Sequence, residues 1–252
     1  MARIALRLTA FGYLAALLAL PVASIFYRAF EHGAIGFWQA VTQPDALHAL
    51  WLTLLIAGIA VPLNAIFGVI CAHVLVRSRL RWKRVLGLLV DLPFAVSPVV
   101  VGLALVLLYG NQGWFGPWLA AHGIRVIFAL PGMVLATMFV SLPFVVREVV
   151  PVMRETGDEQ EQAAATLGAS PWQTFWKVTL PSIRWGVAYG VVLSAARAFG
   201  EYGAVSVVAG RLAGITQTLP LYVDDRFESF DLTGAYAASV VLALFALATL
   251  FS

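Results

Sequence analysis

The sequence predicts an all-α integral membrane protein of six transmembrane helices, built as a single domain over residues 1–252. Three observations carry that expectation. The chain is 61% hydrophobic and only 12% charged, where a soluble domain carries about 25% charged residues, and its mean hydropathy is +0.89. Six apolar runs recur along it, at about 8–27, 50–76, 85–109, 127–150, 185–209 and 233–251, each near or above the roughly 20 residues that cross the hydrocarbon of a bilayer. One polar stretch, residues 154–184, stands between the fourth and fifth runs.

The first run lacks a clear small-residue cleavage site, so it reads as a span and not as a cleavable signal peptide. The second, third and fifth exceed the length needed, which predicts tilt or extension beyond the bilayer. Pro93 and Pro98 interrupt the third run, because each removes a backbone donor from the helical ladder. The sixth reaches 251 with no basic tail after it, so either further chain follows or that anchor is lacking.

The polar stretch has its own punctuation. Thr156 with Glu159 reads as a capping box opening a short helix through Leu167. Gly168 is placed to close that helix in a left-handed cap. Ser170, Pro171 and Gln173 restart the chain with a cap, a proline in the first turn and a capping-box partner. Pro181 restricts Leu180 and predicts an end to the second helix there.

Lys and Arg set the orientation. With the N-terminus in the cytoplasm, the inner segments hold eleven: Arg3, Arg7, Arg77, Arg79, Arg81, Lys83, Arg84, Arg147, Arg154, Lys177 and Arg184. The outer segments hold four: Arg28, Arg125, Arg211 and Arg226. The polar stretch is therefore expected inside the cell. The outer segments, 28–49, 110–126 and 210–232, are too short to form a separate binding domain. The net charge of +3 is explained by this asymmetry, with no nucleic-acid partner implied.

Several chemistries are missing. No G-x-x-x-x-G-K-[ST] loop cradles ATP phosphates, no H-E-x-x-H or Cys/His cluster has metal-ligand spacing, and no G-x-S-x-G elbow presents a nucleophile. The lone Cys71 cannot form an intrachain disulfide and reads as a small packing residue.

Polar groups within the runs are the candidate site residues. A charge at membrane depth costs about 2.5–3.5 kcal/mol on insertion scales. Asp91 and Ser97 either line a route through the membrane, or Asp91 bonds to a neighbouring span or caps a kinked helix. Arg197 and Glu201 stand at i and i+4, on one helical face. They form either a cation for a passing oxyanion with its counter-charge, or an interhelical staple.

A family resemblance rests on these stretches. Gln162-Ala163-Ala164, Gly168, Val178 and Leu180-Pro181 keep the spacing of E-A-A-x3-G-x9-I-x-L-P, the cytoplasmic coupling loop of ABC-importer permeases, with Gln162 for Glu and Val178 for Ile. Beyond it, PDALHALWLTLLIAGIAVPLNAIFG, DLPFAVSPVVVGL, PFVVREVVPVM and ARAFGEYGAVSVVAGR resemble the W-type membrane subunits of sulfate/thiosulfate ABC importers, with Tyr202 for Phe and Ala209 for Ser. The resemblance implies a type I importer permease in the bacterial cytoplasmic (inner) membrane. It implies a homologous T-type permease, two ABC ATPase subunits that bind ATP and Mg, and a periplasmic sulfate-binding protein as partners, with lipid around them. This chain would hold no cofactor. Residues 157–179 would dock on the ATPase, with Gln162, Ala163, Ala164, Gly168, Ala169, Val178, Leu180 and Pro181 as coupling residues. Molybdate/tungstate permeases share a related A-R-x-x-G-E-F-G stretch, and an ATP-independent oxyanion channel is the reading from another class.

Overall fold

The computed structural model describes the backbone of residues 2–250 and the side chains of 6–249. The side chain of Arg3, and residues 251 and 252 where the sixth run ends, lie outside the described residues. Every regular element within them is helical.

The chain opens with α1 (Ala2–Leu14), passes through a π turn (Ala15–Ala19) and continues as α2 (Leu20–Ala29). A short α3 (Gly33–Val41) precedes α4 (Pro44–Arg77). Pro44 suits the first turn of α4, where its missing N–H removes no helical bond. The third run forms α5 (Lys83–Ala95) and α6 (Pro98–Tyr109), bent by 113° at their junction. Val96 and Ser97 are extended there because Pro98 disfavours the α region for the residue before it. After α7 (Gly116–Ala121) come α8 (Leu130–Thr156), α9 (Glu159–Thr166) and α10 (Pro171–Thr174). A second π turn (Phe175–Thr179) leads into α11 (Leu180–Phe199). Then follow α12 (Gly203–Val208), α13 (Leu219–Glu228) and α14 (Leu232–Leu250).

Among the described residues, Leu6–Ala29, Pro44–Arg77, Leu130–Thr156 and Leu232–Thr249 are long and apolar enough to cross a membrane. The bent α5–α6 pair makes a fifth if it counts as one broken span. The fifth apolar run is not continuous as expected. Its α11 carries Arg184 and Arg197, and the helix stops at Gly200 before α12 begins. The outer segments are also more ordered than their composition announced, since they hold α3, α7 and α13.

The centre is built from α4, α8 and α11, with α12 against α6 and α8, and with α2, α3 and α13 on α14. Lipid offers helices no hydrophobic drive to associate, so close packing and interhelical hydrogen bonds hold such a bundle together. Val145 of α8 is fully buried and shows the packing at work. A β-carbon on Gly190 would lie 2.9 Å from the Val145 Cα, and one on Gly68 would lie 2.6 Å from its Cγ1. Gly190→Val should therefore cost about 1–3 kcal/mol, the usual range for overpacking. A lowered thermal midpoint of the purified protein in detergent checks it. Asn64 adds the polar counterpart: fully buried on α4, it donates through Nδ2 to the Met138 carbonyl at 3.1 Å and to Ser141 Oγ at 2.8 Å, both on α8.

The outer end is pinned similarly. The backbone N–H of Leu219 donates to the buried Thr53 Oγ1 at 2.8 Å, seating the start of α13 on α4. Tyr222 is fully buried on α13 and donates to Gln43 Oε1 at 3.2 Å. Burial pushes its phenol above the ordinary value, so the hydroxyl stays a neutral donor at physiological pH.

Candidate functional site

The polar stretch is a compact appendage on the ends of α4, α8 and α11. Glu161 of α9 is its keystone. Its carboxylate pairs with Arg77 at the last turn of α4, 3.0 Å from Nε to Oε2, and Nη2 lies 3.3 Å from Oε1. Thr179 Oγ1 donates to Glu161 Oε1 at 2.9 Å. Arg77 also donates to the Gly157 carbonyl. Both charged partners are mostly buried. One side chain thus ties α9 to the end of α4 and to the π turn before α11.

Two expectations about local geometry need correction. Thr156 and Glu159 form no capping box. Thr156 still belongs to α8, its hydroxyl donates to the Val152 carbonyl at 2.8 Å, and Asp158 precedes α9 without a side-chain cap. Nor does the second helix end at Leu180-Pro181. The Leu180 N–H bonds to the Phe175 carbonyl, an i to i−5 bond, and the helix runs on as α11. The wider π turn accommodates the ring of Pro181, which would otherwise clash with the preceding turn of an α-helix.

The other caps are as read. Gly168 adopts φ +84°. Its N–H bonds to the Ala165 carbonyl, and the Ala169 N–H bonds to the Ala164 carbonyl, both at 3.0 Å, which completes a Schellman motif. Ser170 and Gln173 form the full capping box. Gly168→Val forces a branched side chain into the left-handed region, where L-residues pay about 1–2 kcal/mol. The expected result is a loosened α9–α10 bend, read as faster amide exchange over residues 159–174, while the buried α8 amides keep their protection.

Large apolar side chains are exposed among the polar ones of this appendage. Leu167 is 89% exposed, Trp172 70% and Trp176 50%. Gln162, Ala163, Gly168 and Pro181 are exposed, whereas Ala164, Ala169, Val178 and Leu180 are half-buried. Trp172 and Trp176 pack edge to face at 5.5 Å and line an apolar groove of about 590 Å³ with Ile66 and Ile70 of α4, while Leu167 is exposed at the α9–α10 bend.

The intramembrane polar residues fall into separate places. Asp91 of α5 accepts from Arg147 Nε of α8 at 3.0 Å, and the same guanidinium lies 4.3 Å from the centre of the Phe94 ring. Asp91 thus bonds to a neighbouring helix. Ser97 is exposed at the α5–α6 bend, where its backbone carbonyl accepts the Val101 N–H. Arg197 and Glu201 do pair, 2.7 Å from Nη1 to Oε2, but across a helix end and not along one helix. Glu201 is 3% exposed, and its other oxygen accepts the Ala204 N–H at 2.8 Å, capping α12. That second bond satisfies a first-turn N–H of α12 just beyond the break after Phe199. Beside it, Tyr202 Oη donates to Asp224 Oδ2 at 2.7 Å and accepts from Arg211 Nη2 at 2.7 Å, while Arg211 and Asp224 pair at 3.0 Å. The Tyr202 hydroxyl, which the family's Phe would lack, thus joins the α11–α12 junction to α13.

Sequence reasoning passed over Glu161, Arg77, Thr179 and Asn64. A signal existed for two of them: Asn64 is the only amide side chain in the second run, and Arg77 is its terminal charge. Among the described residues no group of His, Cys, Asp and Glu is arranged to hold a metal ion.

Comparisons with known proteins place the chain. Residues 64–252 match the family described as binding-protein-dependent transport system inner membrane component. A sulfate transport system permease protein CysW from Synechocystis sp. is 51% identical over 238 residues, covering 94% of this chain and 86% of the relative. A sulfate transport system permease protein CysT from Escherichia coli is 38% identical over 244 residues, covering 97% and 88%. A crystal structure of a bacterial alginate ABC transporter, in complex with an alginate pentasaccharide-bound periplasmic protein, contains a chain with the same fold: TM-score 0.80, 17% identity, covering 99% of this chain and 91% of that one.

Proposed function

The chain belongs to the family of binding-protein-dependent transport system inner membrane components, and on that premise we propose that it is the W-type membrane subunit of an ATP-driven sulfate/thiosulfate importer. It is an integral inner membrane protein and a permease component, distinct from an ATPase. The higher identity to a CysW than to a CysT supports the W-type assignment. In this reading the whole chain is one permease domain of six spans with its N-terminus in the cytoplasm. The bent α5–α6 pair and the α11–α12 segment serve as the third and fifth spans. A T-type permease completes the route. Two ATPase subunits bind ATP and Mg, and a periplasmic binding protein delivers the anion.

One observation carries the mechanism: Glu161 clamps the appendage, which exposes Leu167, Trp172 and Trp176, to α4 and to the π turn before α11. An ATPase that grips the apolar surface then moves two spans through a charged clamp and a continuous helix. Gln162, at the position where the pattern has Glu, faces outward without a charge, so this grip uses shape and hydrogen bonding there. Arg197, partly exposed and held by Glu201, is the candidate cation for the anion; Asp91 and Ser97 border the bend that would move with it.

The test is uptake of labelled sulfate by proteoliposomes containing this chain, its T-type partner and the ATPase, with binding protein added outside. ATP-dependent uptake that molybdate fails to compete supports the assignment. Uptake without the ATPase, or preference for molybdate, would refute it.

A further inference from the structure

A groove of about 600 Å³ lies between α4, α5 and α8, at the end of the bundle that carries the polar appendage. Four cations line it: Lys83 and Arg84 at the start of α5, and Arg147 and Arg154 on α8. The two arginines of α8 are seven residues apart, so they share one face of the helix about two turns apart. One carboxylate lines the groove, Asp91, and Arg147 already holds it at 3.0 Å. Among the described residues Lys83, Arg84 and Arg154 have no ion-pair partner. Neither acid of α8, Glu148 or Glu155, lines the groove. The groove therefore has a local excess of three positive charges.

Its wall is different in character. Leu75 and Val76 of α4, Val90 of α5, and Val146 and Val150 of α8 line it beside the cations. A free tetrahedral oxyanion would use the cations and leave the wall bare. A phospholipid uses both, with its phosphate on the charged rim and an acyl chain along the wall.

We propose that this groove is a binding site for an anionic phospholipid, with Lys83, Arg84 and Arg154 holding the phosphate headgroup. Basic pockets between membrane helices at the cytoplasmic level take such headgroups by charge complementarity. The site is independent of which anion is transported, and requires only that the chain sits in a bilayer. Its occupant joins α5 to α8 at the point where Asp91 and Arg147 already connect them.

The experiment is native mass spectrometry of the full chain, purified in its complex and titrated with phosphatidylglycerol, phosphatidylcholine or inorganic sulfate. Phosphatidylglycerol should bind at least tenfold more tightly than phosphatidylcholine. Lys83→Gln/Arg84→Gln/Arg154→Gln should lower that affinity at least tenfold, whereas Arg79→Gln/Arg81→Gln, in the same loop but outside the groove, should leave it within twofold. Arg84→Lys/Arg154→Lys should retain it, and the single Arg154→Gln gives a partial loss should the triple variant fold poorly. Equal losses from the groove and loop variants would mean diffuse surface attraction and overturn the site. Sulfate binding that is lost in the groove variants while phosphatidylglycerol binding persists would assign the groove to the free oxyanion and overturn the lipid.

Discussion

Glu161→Ala is expected to lower ATP-driven transport at least tenfold while the spans stay folded. The carboxylate receives Arg77 and Thr179 together, so its removal frees α9 from both α4 and the π turn. Charged hydrogen bonds of this kind contribute about 1.5–3 kcal/mol each when removed. The loss falls on α9, which has no buried residue, so it converts into detachment of that helix and not into global unfolding. The measurements are labelled uptake and binding-protein-stimulated ATP hydrolysis in the same proteoliposomes. The expected pattern is hydrolysis without matching uptake, or an ATPase that no longer copurifies. Arg77→Ala should give the same phenotype, and the double variant should be little worse than either, since residues of one network are not additive. Gln162→Glu, by contrast, should change transport less than twofold. If Gln162→Glu proved decisive and Glu161→Ala silent, the clamp would have no part in coupling.

Glu201→Ala should have the largest effect on stability in the chain. It leaves the partly exposed Arg197 without its partner and the buried Ala204 N–H without its acceptor. Breaking a fully buried pair by removing one member costs about 3–5 kcal/mol; the water that reaches Arg197 lowers that cost here, and the orphaned Ala204 N–H adds about 1–3 kcal/mol. The expected result is a sharp fall in membrane accumulation and in thermal midpoint. Glu201→Gln keeps an acceptor for Ala204 and should recover part of the loss. Arg197→Gln separates the two roles of the pair. A purely structural pair predicts normal uptake per assembled complex, whereas a cation beside the route predicts at least a tenfold fall in uptake with assembly intact.

Much of the membrane architecture was legible because spanning length and proline stereochemistry are local properties. Pro98 announced the bend between α5 and α6, and Gly168 and Ser170 announced the turn between α9 and α10. What escaped depended on contacts distant in sequence. Arg77 and Glu161 are 84 residues apart, and nothing local in either marks the other. Glu161 also lay next to the position that the family pattern emphasises, so its neighbour drew the attention. Pro181 misled for a physical reason: proline ends an α-helix when the turn before it has normal pitch, and a π turn relaxes that condition. The break after Phe199 was hidden likewise, because the i, i+4 spacing of Arg197 and Glu201 fits an uninterrupted helix equally well.

The π turn at Phe175–Thr179 has a mechanical meaning. It makes residues 171–199 one unbroken helical rod from Trp172, at the exposed apolar surface, to the neighbourhood of Arg197. At 1.5 Å per residue such a rod is about 43 Å long. Were it to tilt as a rigid body by about 5° about one end, the other end would travel roughly 4 Å at that rise per residue. A helix ended at Pro181 would have put a joint in the rod and lost that amplification.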